Sequence, residues 1–190
     1  EFNKIEQFVR KDNIVKIIFV GRFNPVKQLI FLPEIASRLL EKDIVNFQFI
    51  LCGAGQDEQK ISSKVIDYEL SDYFVLTGYV DNPFQYLLQS DITVLPSRTE
   101  DLSVALLEAG YASLPMVVFD VGGNSDIVVN NKTGYLIKPF NLDEFADKLE
   151  ILIKQPELRN KIGNQAHEFI KSNFTEDHRL ERLIEMMKSI

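Results

Sequence analysis

Two groups of residues in this 190-residue chain have the types and the spacing to bind a phosphorylated ligand. The first is the segment Gly21-Arg22-Phe23-Asn24-Pro25-Val26-Lys27, in which two cations lie five residues apart. Such cations can converge on a diphosphate, and the glycine lets the backbone turn sharply beside them. Cations in a loop are also often simply solvated, so both interpretations of Arg22 and Lys27 stay open.

The second group is a pair of carboxylates, Glu100 and Glu108, separated by seven residues. From Leu102 to Ala112 the pattern predicts a helix that is apolar or small on nearly every side, and therefore a buried helix. Glu108 falls on an apolar stripe of that helix, where an ionised carboxylate is costly unless it is hydrogen-bonded or its site opens to a cleft. Either a protein group such as Arg22 satisfies Glu108, or Glu108 accepts hydrogen bonds from ligand hydroxyls.

Glu100 precedes the same helix and also has two interpretations. A carboxylate at this place can cap the helix, because acids are stabilised by the free N–H groups and the dipole of a helix N-terminus. Those N–H groups also attract phosphate, so the loop could hold one end of an anionic ligand. If the helix starts near Leu102, Glu108 lies about two turns inside it, and the two carboxylates would meet different parts of one extended ligand.

The elements that must position these residues alternate between strands and helices. Apolar runs bounded by glycine or by turn residues predict strands, and the segments between them have helical spacing. Strands that are apolar throughout predict an α/β fold, with a Rossmann-like parallel sheet and helices on both faces. Ligands of such sheets bind beyond the carboxyl ends of the strands. The predicted strands cover 15–20, 47–52, 74–76, 92–95, 116–119 and 134–137, and the predicted helices cover 29–40, 58–70, 84–89, 102–112 and most of the chain from 142 onward, with breaks near Pro156 and Asn173.

Composition excludes several classes of protein. The single cysteine, Cys52, excludes a disulfide framework and a thiolate metal cluster. The net charge of −7 argues against a nucleic-acid-binding surface. Because no apolar run approaches the roughly 20 residues that span a bilayer, we expect a cytoplasmic protein, at most peripherally associated with the inner membrane face. The G-x-G-x-x-G fingerprint is missing after the first two strands, which argues against a nicotinamide or flavin site.

Taken together, the motifs resemble the C-terminal, donor-binding domain of a family 4 glycosyltransferase, a retaining nucleotide-sugar enzyme of the GT-B type. The resemblance covers nearly the whole chain from Val15. Six motifs carry it, in the family's order and spacing: Gly21-Arg22 with Lys27, Gly53-Ala54-Gly55, Thr77-Gly78-Tyr79-Val80, Asp91 to Ser97, Glu100 with Glu108, and Gly122-Gly123 with Asp126.

The resemblance implies a role for each motif. Arg22 and Lys27 would bind the diphosphate and stabilise the leaving group. Glu108 would bind the ribose hydroxyls, and Glu100 would contact the donor sugar near the reacting carbon. Of these, Arg22, Lys27 and Glu100 are the implied catalytic residues. The turn after the third strand would present backbone groups to the base, and the helix start would donate N–H groups to the phosphates. The implied donor-binding set is Gly21, Arg22, Lys27, Gly53, Gly78, Tyr79, Val80, Ser97, Glu100, Leu102, Ser103, Val104 and Glu108.

The implied reaction is transfer of a sugar, with retention, from a nucleoside-diphosphate sugar to a growing polysaccharide or a lipid-linked glycan. The resemblance favours a UDP-linked donor over a GDP-linked one, because UDP-sugars are the more usual donors in this family. No Asp-x-Asp pair occurs in the chain, so we expect a metal-independent enzyme without a cofactor, in which cations take the metal's role. Asp101 stands where relatives usually have glycine, and Asp126 replaces a more common glutamate. Asp101 either turns to solvent and caps the helix or weakens donor binding.

The expected domain organisation is half of a GT-B enzyme. Residues 1–14 are predicted to be an interdomain linker or lead-in, and residues 15–172 the Rossmann-like donor domain. Residues 173–190 are predicted to include a helix, 176–190, that packs toward a missing N-terminal acceptor domain. Alone, the domain should bind donor but turn over little, because transfer needs both substrates held together. Two alternatives stay open: a GT-B-like sugar-nucleotide epimerase or phosphorylase, and a non-catalytic nucleotide-binding module.

Overall fold

A computed structural model describes residues 13–174 and shows a six-stranded sheet in which every neighbouring pair of strands is parallel. The strand order is β3-β2-β1-β4-β5-β6. All six predicted strands are present, and only the third is longer than predicted. The strands are β1 (Val15–Val20), β2 (Phe47–Cys52), β3 (Phe74–Gly78), β4 (Ile92–Leu95), β5 (Met116–Phe119) and β6 (Gly134–Ile137).

Seven α-helices connect or follow the strands in the described part of the chain. They are α1 (Leu32–Leu40), α2 (Glu58–Asp67), α3 (Phe84–Leu87), α4 (Val104–Tyr111), α5 (Asn124–Ile127), α6 (Leu142–Lys154) and α7 (Pro156–Asn173). The helix predicted over 58–70 ends early, because Glu69 adopts a left-handed backbone with φ 57°. Helix α5 is too short to leave a periodic pattern and was not predicted.

Helices pack on both faces of the sheet, as the apolar strands predict. Alternate residues of β1 point to opposite faces. Ile17 and Phe19 belong to the larger core cluster, which includes side chains of α1, α2 and α6. Ile18 belongs to a second cluster, with Leu87 of α3 and Ala109 of α4. Burial on both faces fixes the register of the sheet, and therefore fixes where each strand ends.

The direction of chain progression through the sheet changes at β1, which has β2 on one side and β4 on the other. In sheets with this strand order, ligands bind at the carboxyl ends of the strands, in the crevice at this switch point. The loops after β1 and β4 therefore flank the expected site. They are joined directly, because the backbone N–H of Arg98 donates to the carbonyl of Val26 at 2.8 Å.

Two predicted segments cannot be compared in full with the structure. The predicted helix 176–190 and nearly all of the predicted linker, residues 1–12, lie outside the described residues. Among the helices that are described, none has the length and apolar character needed to cross a membrane.

Candidate functional site

The loop after β1 is organised by Asn24, which sequence reasoning did not select. Its Oδ1 accepts hydrogen bonds from the backbone N–H groups of Val26 and Lys27, both at 3.1 Å. This is a local turn of the type that asparagine side chains stabilise. The dipeptide Asn24-Pro25 is a turn signal that could have predicted it. The turn fixes the backbone of Lys27 at the edge of the sheet.

The loop after β2 packs directly against the loop after β1, and its glycines make this possible. A Cβ atom on Gly53 would lie 1.8 Å from the carbonyl oxygen of Gly21, and one on Gly55 would lie 2.3 Å from that of Phe23. The N–H of Phe23 also donates to the carbonyl of Ala54 at 3.0 Å. Gly53 and Gly55 are therefore required for close contact between the two loops.

A cavity of about 480 Å³ opens at the carboxyl ends of β1, β2 and β3. It brings together five residues of the implied donor-binding set: Gly21, Arg22, Gly53, Tyr79 and Val80. Val20, Cys52, Ala54 and Pro83 complete its lining. Its volume lies in the range of small-ligand pockets.

The ends of β2 and β3, which contribute to the lining of this cavity, are joined by hydrogen bonds. Gly78 has a left-handed φ of 70°, and its carbonyl accepts hydrogen bonds from the N–H of Gly53 at 3.1 Å and from the Thr77 hydroxyl at 2.8 Å. Gly78 itself does not line the cavity, whereas the exposed ring of Tyr79 does. Burial raises the pKa of the Cys52 thiol to about 11, although a hydrogen bond with Thr77 acts in the opposite direction.

Lys27 and Glu100 form an ion pair across the loops after β1 and β4. The side chain of Lys27 is 21% exposed and that of Glu100 is 9% exposed, so the pair is largely shielded from water. The resemblance implied that both residues contact the donor, but not that they contact each other. Neither residue lines the 480 Å³ cavity.

Two buried polar atoms close to this ion pair in the sequence have no hydrogen-bond partner in the described part of the chain. They are Ser97 Oγ, in the loop that leads from β4 to Glu100, and Gln28 Oε1, in the residue after Lys27. Buried polar atoms are normally paired, with protein or with water or ligand atoms. Ser97 was in the implied donor-binding set, whereas Gln28 was not predicted.

Helix α4 begins two residues later than predicted. Ser103 is its N-cap, and Ser103 Oγ accepts a hydrogen bond from the N–H of Leu106 at 3.4 Å. The prediction that Leu102 starts the helix is therefore wrong, because Ser103 has an extended backbone and supplies the cap. Asp101 is exposed to solvent, and Ser103 rather than either neighbouring acid caps the helix with its side chain.

The prediction that α4 is a buried helix is also wrong. Val104 and Tyr111 are 63% and 52% exposed, because only the opposite face of the helix packs into the protein. On that packed face Gly110 lies against Ile170 of α7. Glu108 is half-buried beside the exposed face, and within residues 13–174 its carboxylate forms no hydrogen bond or ion pair, with Arg22 or any other group. Glu108 is thus half-buried on a helix whose outer face carries the exposed apolar side chains of Val104 and Tyr111.

Among residues 13–174, no three His, Cys, Asp or Glu side chains are placed to hold a metal ion together. The structure thus brings Lys27 to Glu100, and Arg22 to the glycine and tyrosine side of the cavity. It puts Glu108 on α4, and within residues 13–174 Glu108 forms no hydrogen bond or ion pair with Arg22, Lys27 or Glu100.

A doubly wound parallel sheet with a cavity at the carboxyl ends of its strands is typical of Rossmann-like, nucleotide-binding domains. Comparison with known proteins identifies the family. The sequence model of the family described as Glycosyl transferases group 1 matches residues 1–169. The chain belongs to this family, and its fold is that of the C-terminal domain of a GT-B glycosyltransferase.

Individual relatives agree with this assignment. A poly(ribitol-phosphate) alpha-N-acetylglucosaminyltransferase of Staphylococcus aureus is 30% identical over 190 residues, which are 99% of this chain and 38% of that protein. A UDP-Gal:alpha-D-GlcNAc-diphosphoundecaprenol alpha-1,3-galactosyltransferase of Escherichia coli is 30% identical over 81% of this chain and 42% of that protein. The chain thus spans about two fifths of the length of these relatives.

A solved structure of a similar protein has the same fold. It is a mutant of TarM from S. aureus, crystallised with fondaparinux, alpha-GlcNAc-glycerol and UDP. It is 28% identical to this chain, with a TM-score of 0.85, over 93% of this chain and 36% of the TarM chain.

Proposed function

We propose that this chain is the donor-binding part of a glycosyltransferase that transfers a hexosyl group, with retention, from a UDP-sugar to a polysaccharide or lipid-linked glycan acceptor. The observation that carries the proposal is the cavity at the carboxyl ends of β1, β2 and β3, in which Arg22 lies beside the loops that carry Gly53 and Tyr79. Lys27 follows in the same loop as Arg22. The names of the relatives support the donor, since one contains UDP-Gal and another was crystallised with UDP.

In the proposed complex, the nucleotide end of the donor occupies the cavity. Val20, Val80 and the ring of Tyr79 offer an apolar surface to the base. The carboxylate of Glu108 has no protein partner in the described part of the chain and is available for two ribose hydroxyls. A charged acceptor of this kind forms stronger hydrogen bonds than a neutral one does.

The phosphate and sugar end lies between the loops after β1 and β4. Cleavage of the bond between the anomeric carbon and the phosphate oxygen leaves a diphosphate that carries additional negative charge. Arg22, Lys27 and the free N–H groups at the start of α4 would stabilise that charge more in the transition state than in the ground state. Glu100 would accept hydrogen bonds from the sugar hydroxyls. Because cations supply this stabilisation, the proposed reaction is metal-independent.

The acceptor is proposed to be bound by another domain of the whole protein, at the cytoplasmic side of the inner membrane. Transfer requires the acceptor hydroxyl within about 3–3.5 Å of the anomeric carbon. The other reactions of GT-B-like enzymes, epimerisation and phosphorolysis, would use the same donor part with different catalytic groups.

Titration calorimetry with UDP tests the nucleotide assignment directly. We expect Glu108→Gln to weaken binding of UDP about tenfold, because a charged hydrogen-bond acceptor for the ribose is lost. The same substitution should change binding of 2′,3′-dideoxy-UDP less than about twofold, since that ligand lacks the hydroxyls. Glu41→Gln removes the same charge from an exposed position at the end of α1 and should leave both affinities unchanged.

Two results would overturn the proposal. One is no binding of UDP to the unaltered chain at millimolar concentration, and the other is equal loss of both ligands in Glu108→Gln. The reaction type is tested by incubating the whole protein with UDP-sugars and acceptors and determining the anomeric configuration of the product by NMR. Epimerised donor or a sugar phosphate as product would favour the other GT-B-like reactions, and binding without any product would favour a non-catalytic module.

A further inference from the structure

We propose that Gly122 and Gly123, in the loop after β5, are positioning residues that hold Glu100 in place for the sugar half of the donor. This inference rests on the proposed function, in which Glu100 contacts the sugar. The loop after β5 would thus act on donor binding through Glu100, without itself contacting the donor.

The two glycines are in direct backbone contact with the Glu100 segment. The N–H of Gly123 donates to the carbonyl of Glu100 at 2.9 Å. A Cβ atom on Gly122 would lie 1.8 Å from that same carbonyl oxygen, and a Cβ atom on Gly123 would lie 1.6 Å from the carbonyl oxygen of Asp101. Gly122 also has a left-handed φ of 49°. Any side chain at either glycine therefore pushes the two loops apart.

The loop that carries the glycines is itself anchored to the sheet. Asn124 is fully buried, and its side-chain amide donates to the carbonyl of Phe119, the last residue of β5, at 2.9 Å. The N–H of Asp120 donates to the carbonyl of Ile137, the last residue of β6, at 2.7 Å. The ends of β5 and β6 therefore fix the loop that carries Gly123, and the hydrogen bond from Gly123 fixes the backbone of Glu100.

Glu100 needs this external support because its own segment has no regular structure. It lies three residues before Ser103, the N-cap of α4, and after the turn that follows β4. Its carboxylate in turn pairs with Lys27. A displacement of the Glu100 backbone would therefore move a carboxylate that must meet the sugar, while leaving Lys27 able to bind diphosphate. Misplacement of a substrate-positioning group by about 1 Å can lower the rate of transfer by a factor of up to about 100.

We expect substitution of Gly123 to weaken binding of a UDP-sugar without weakening binding of UDP. In calorimetry with UDP, UDP-glucose, UDP-galactose and UDP-N-acetylglucosamine, Gly123→Ala should weaken binding of the UDP-sugar that binds best about tenfold, because a charged hydrogen-bond acceptor for the sugar is displaced. Binding of UDP itself should not weaken, and it should tighten where the displaced Glu100 releases Lys27. Gly163→Ala, on α7, is the matched control, because a Cβ atom there would lie 2.0 Å from the carbonyl oxygen of Ser113, which follows the end of α4 opposite to the Glu100 segment. It should leave the ratio of the two affinities unchanged.

A double-mutant cycle separates positioning from general damage. If Gly123 acts through Glu100, Gly123→Ala should have no further effect on the ratio of the two affinities in a Glu100→Gln background. Equal weakening of UDP and UDP-sugar by Gly123→Ala, or full additivity with Glu100→Gln, overturns the inference.

Amide hydrogen exchange of the unaltered chain tests the inference without requiring that any variant folds. The Gly123 amide should be protected, and UDP-sugar should protect it further than UDP does. An unprotected amide, or equal protection by both ligands, also overturns the inference. Failure of the unaltered chain to bind UDP would instead contradict the proposed function, so the two failures are distinguishable.

Discussion

Arg22 and Lys27 lie in the same loop and carry the same charge, but their surroundings differ. Arg22 is exposed, lines the 480 Å³ cavity and has no ion-pair partner among residues 13–174. Lys27 is largely shielded and paired with Glu100. Asn24 accounts for part of the difference, because its side chain turns the chain between the two cations and directs Lys27 toward the loop after β4.

Because their surroundings differ, we expect the two cations to contribute unequally to ligand binding. Arg22 exchanges only water for a phosphate group. Lys27 must share or exchange a carboxylate that already neutralises it, so part of its interaction with a phosphate is offset by the lost ion pair. When no ligand is bound, Glu100 stays paired with Lys27. We therefore expect Arg22 to determine most of the affinity for diphosphate.

Removal of Arg22 should give the largest effect. Arg22→Ala is expected to weaken binding of UDP about 10- to 100-fold, because a hydrogen-bonded charge pair with phosphate contributes about 1.5–3 kcal/mol. Lys132→Ala removes one positive charge from an exposed turn before β6 and controls for the general change in net charge. A larger loss in Lys27→Ala than in Arg22→Ala would contradict the comparison.

The fold was largely predictable from the sequence because β1, β2 and β4 are short apolar runs bounded by turn residues. Burial on both faces leaves such runs few alternatives to a parallel sheet. The limits of α4 were less predictable. Apolar residues such as Val104 and Tyr111 do not by themselves distinguish a buried helix from a helix whose outer face borders a cleft.

The candidate site was predictable in its residues but not in its pairings. Motif spacing selected Lys27 and Glu100 independently, whereas their contact depends on the turn made by Asn24 and on the loops after β4 and β5. The support from Gly123 is a contact between backbones distant in sequence, and no local pattern encodes it. Tertiary contacts of this kind require the folded arrangement of the sheet.

Release of Lys27 from its partner should give a smaller effect, of opposite sign. Glu100→Gln removes the competing carboxylate, so we expect UDP to bind about fivefold more tightly, which corresponds to about 1 kcal/mol for a partly shielded ion pair. The UDP-sugar should gain less, because the variant also loses the charged acceptor for sugar hydroxyls. Calorimetry with both ligands measures the difference. Weaker binding of UDP in Glu100→Gln would mean that the ion pair does not compete with the diphosphate.

The smallest effect concerns Cys52, which lines the cavity on the Arg22 side. Burial raises the pKa of this thiol from 9.0 to about 11 in the folded chain. Between these values the unfolded chain loses the proton first, so the stabilisation is complete below pH 9 and is lost as the pH rises toward 11. We compare the fall in the free energy of unfolding between pH 8 and pH 9.5 in the two chains. This fall should be about 1 kcal/mol larger in the unaltered chain than in Cys52→Ala. Denaturant titrations of both chains measure this difference. Parallel pH dependence would indicate that water reaches the thiol, and a cavity so hydrated would weaken the interaction of Arg22 with a phosphate.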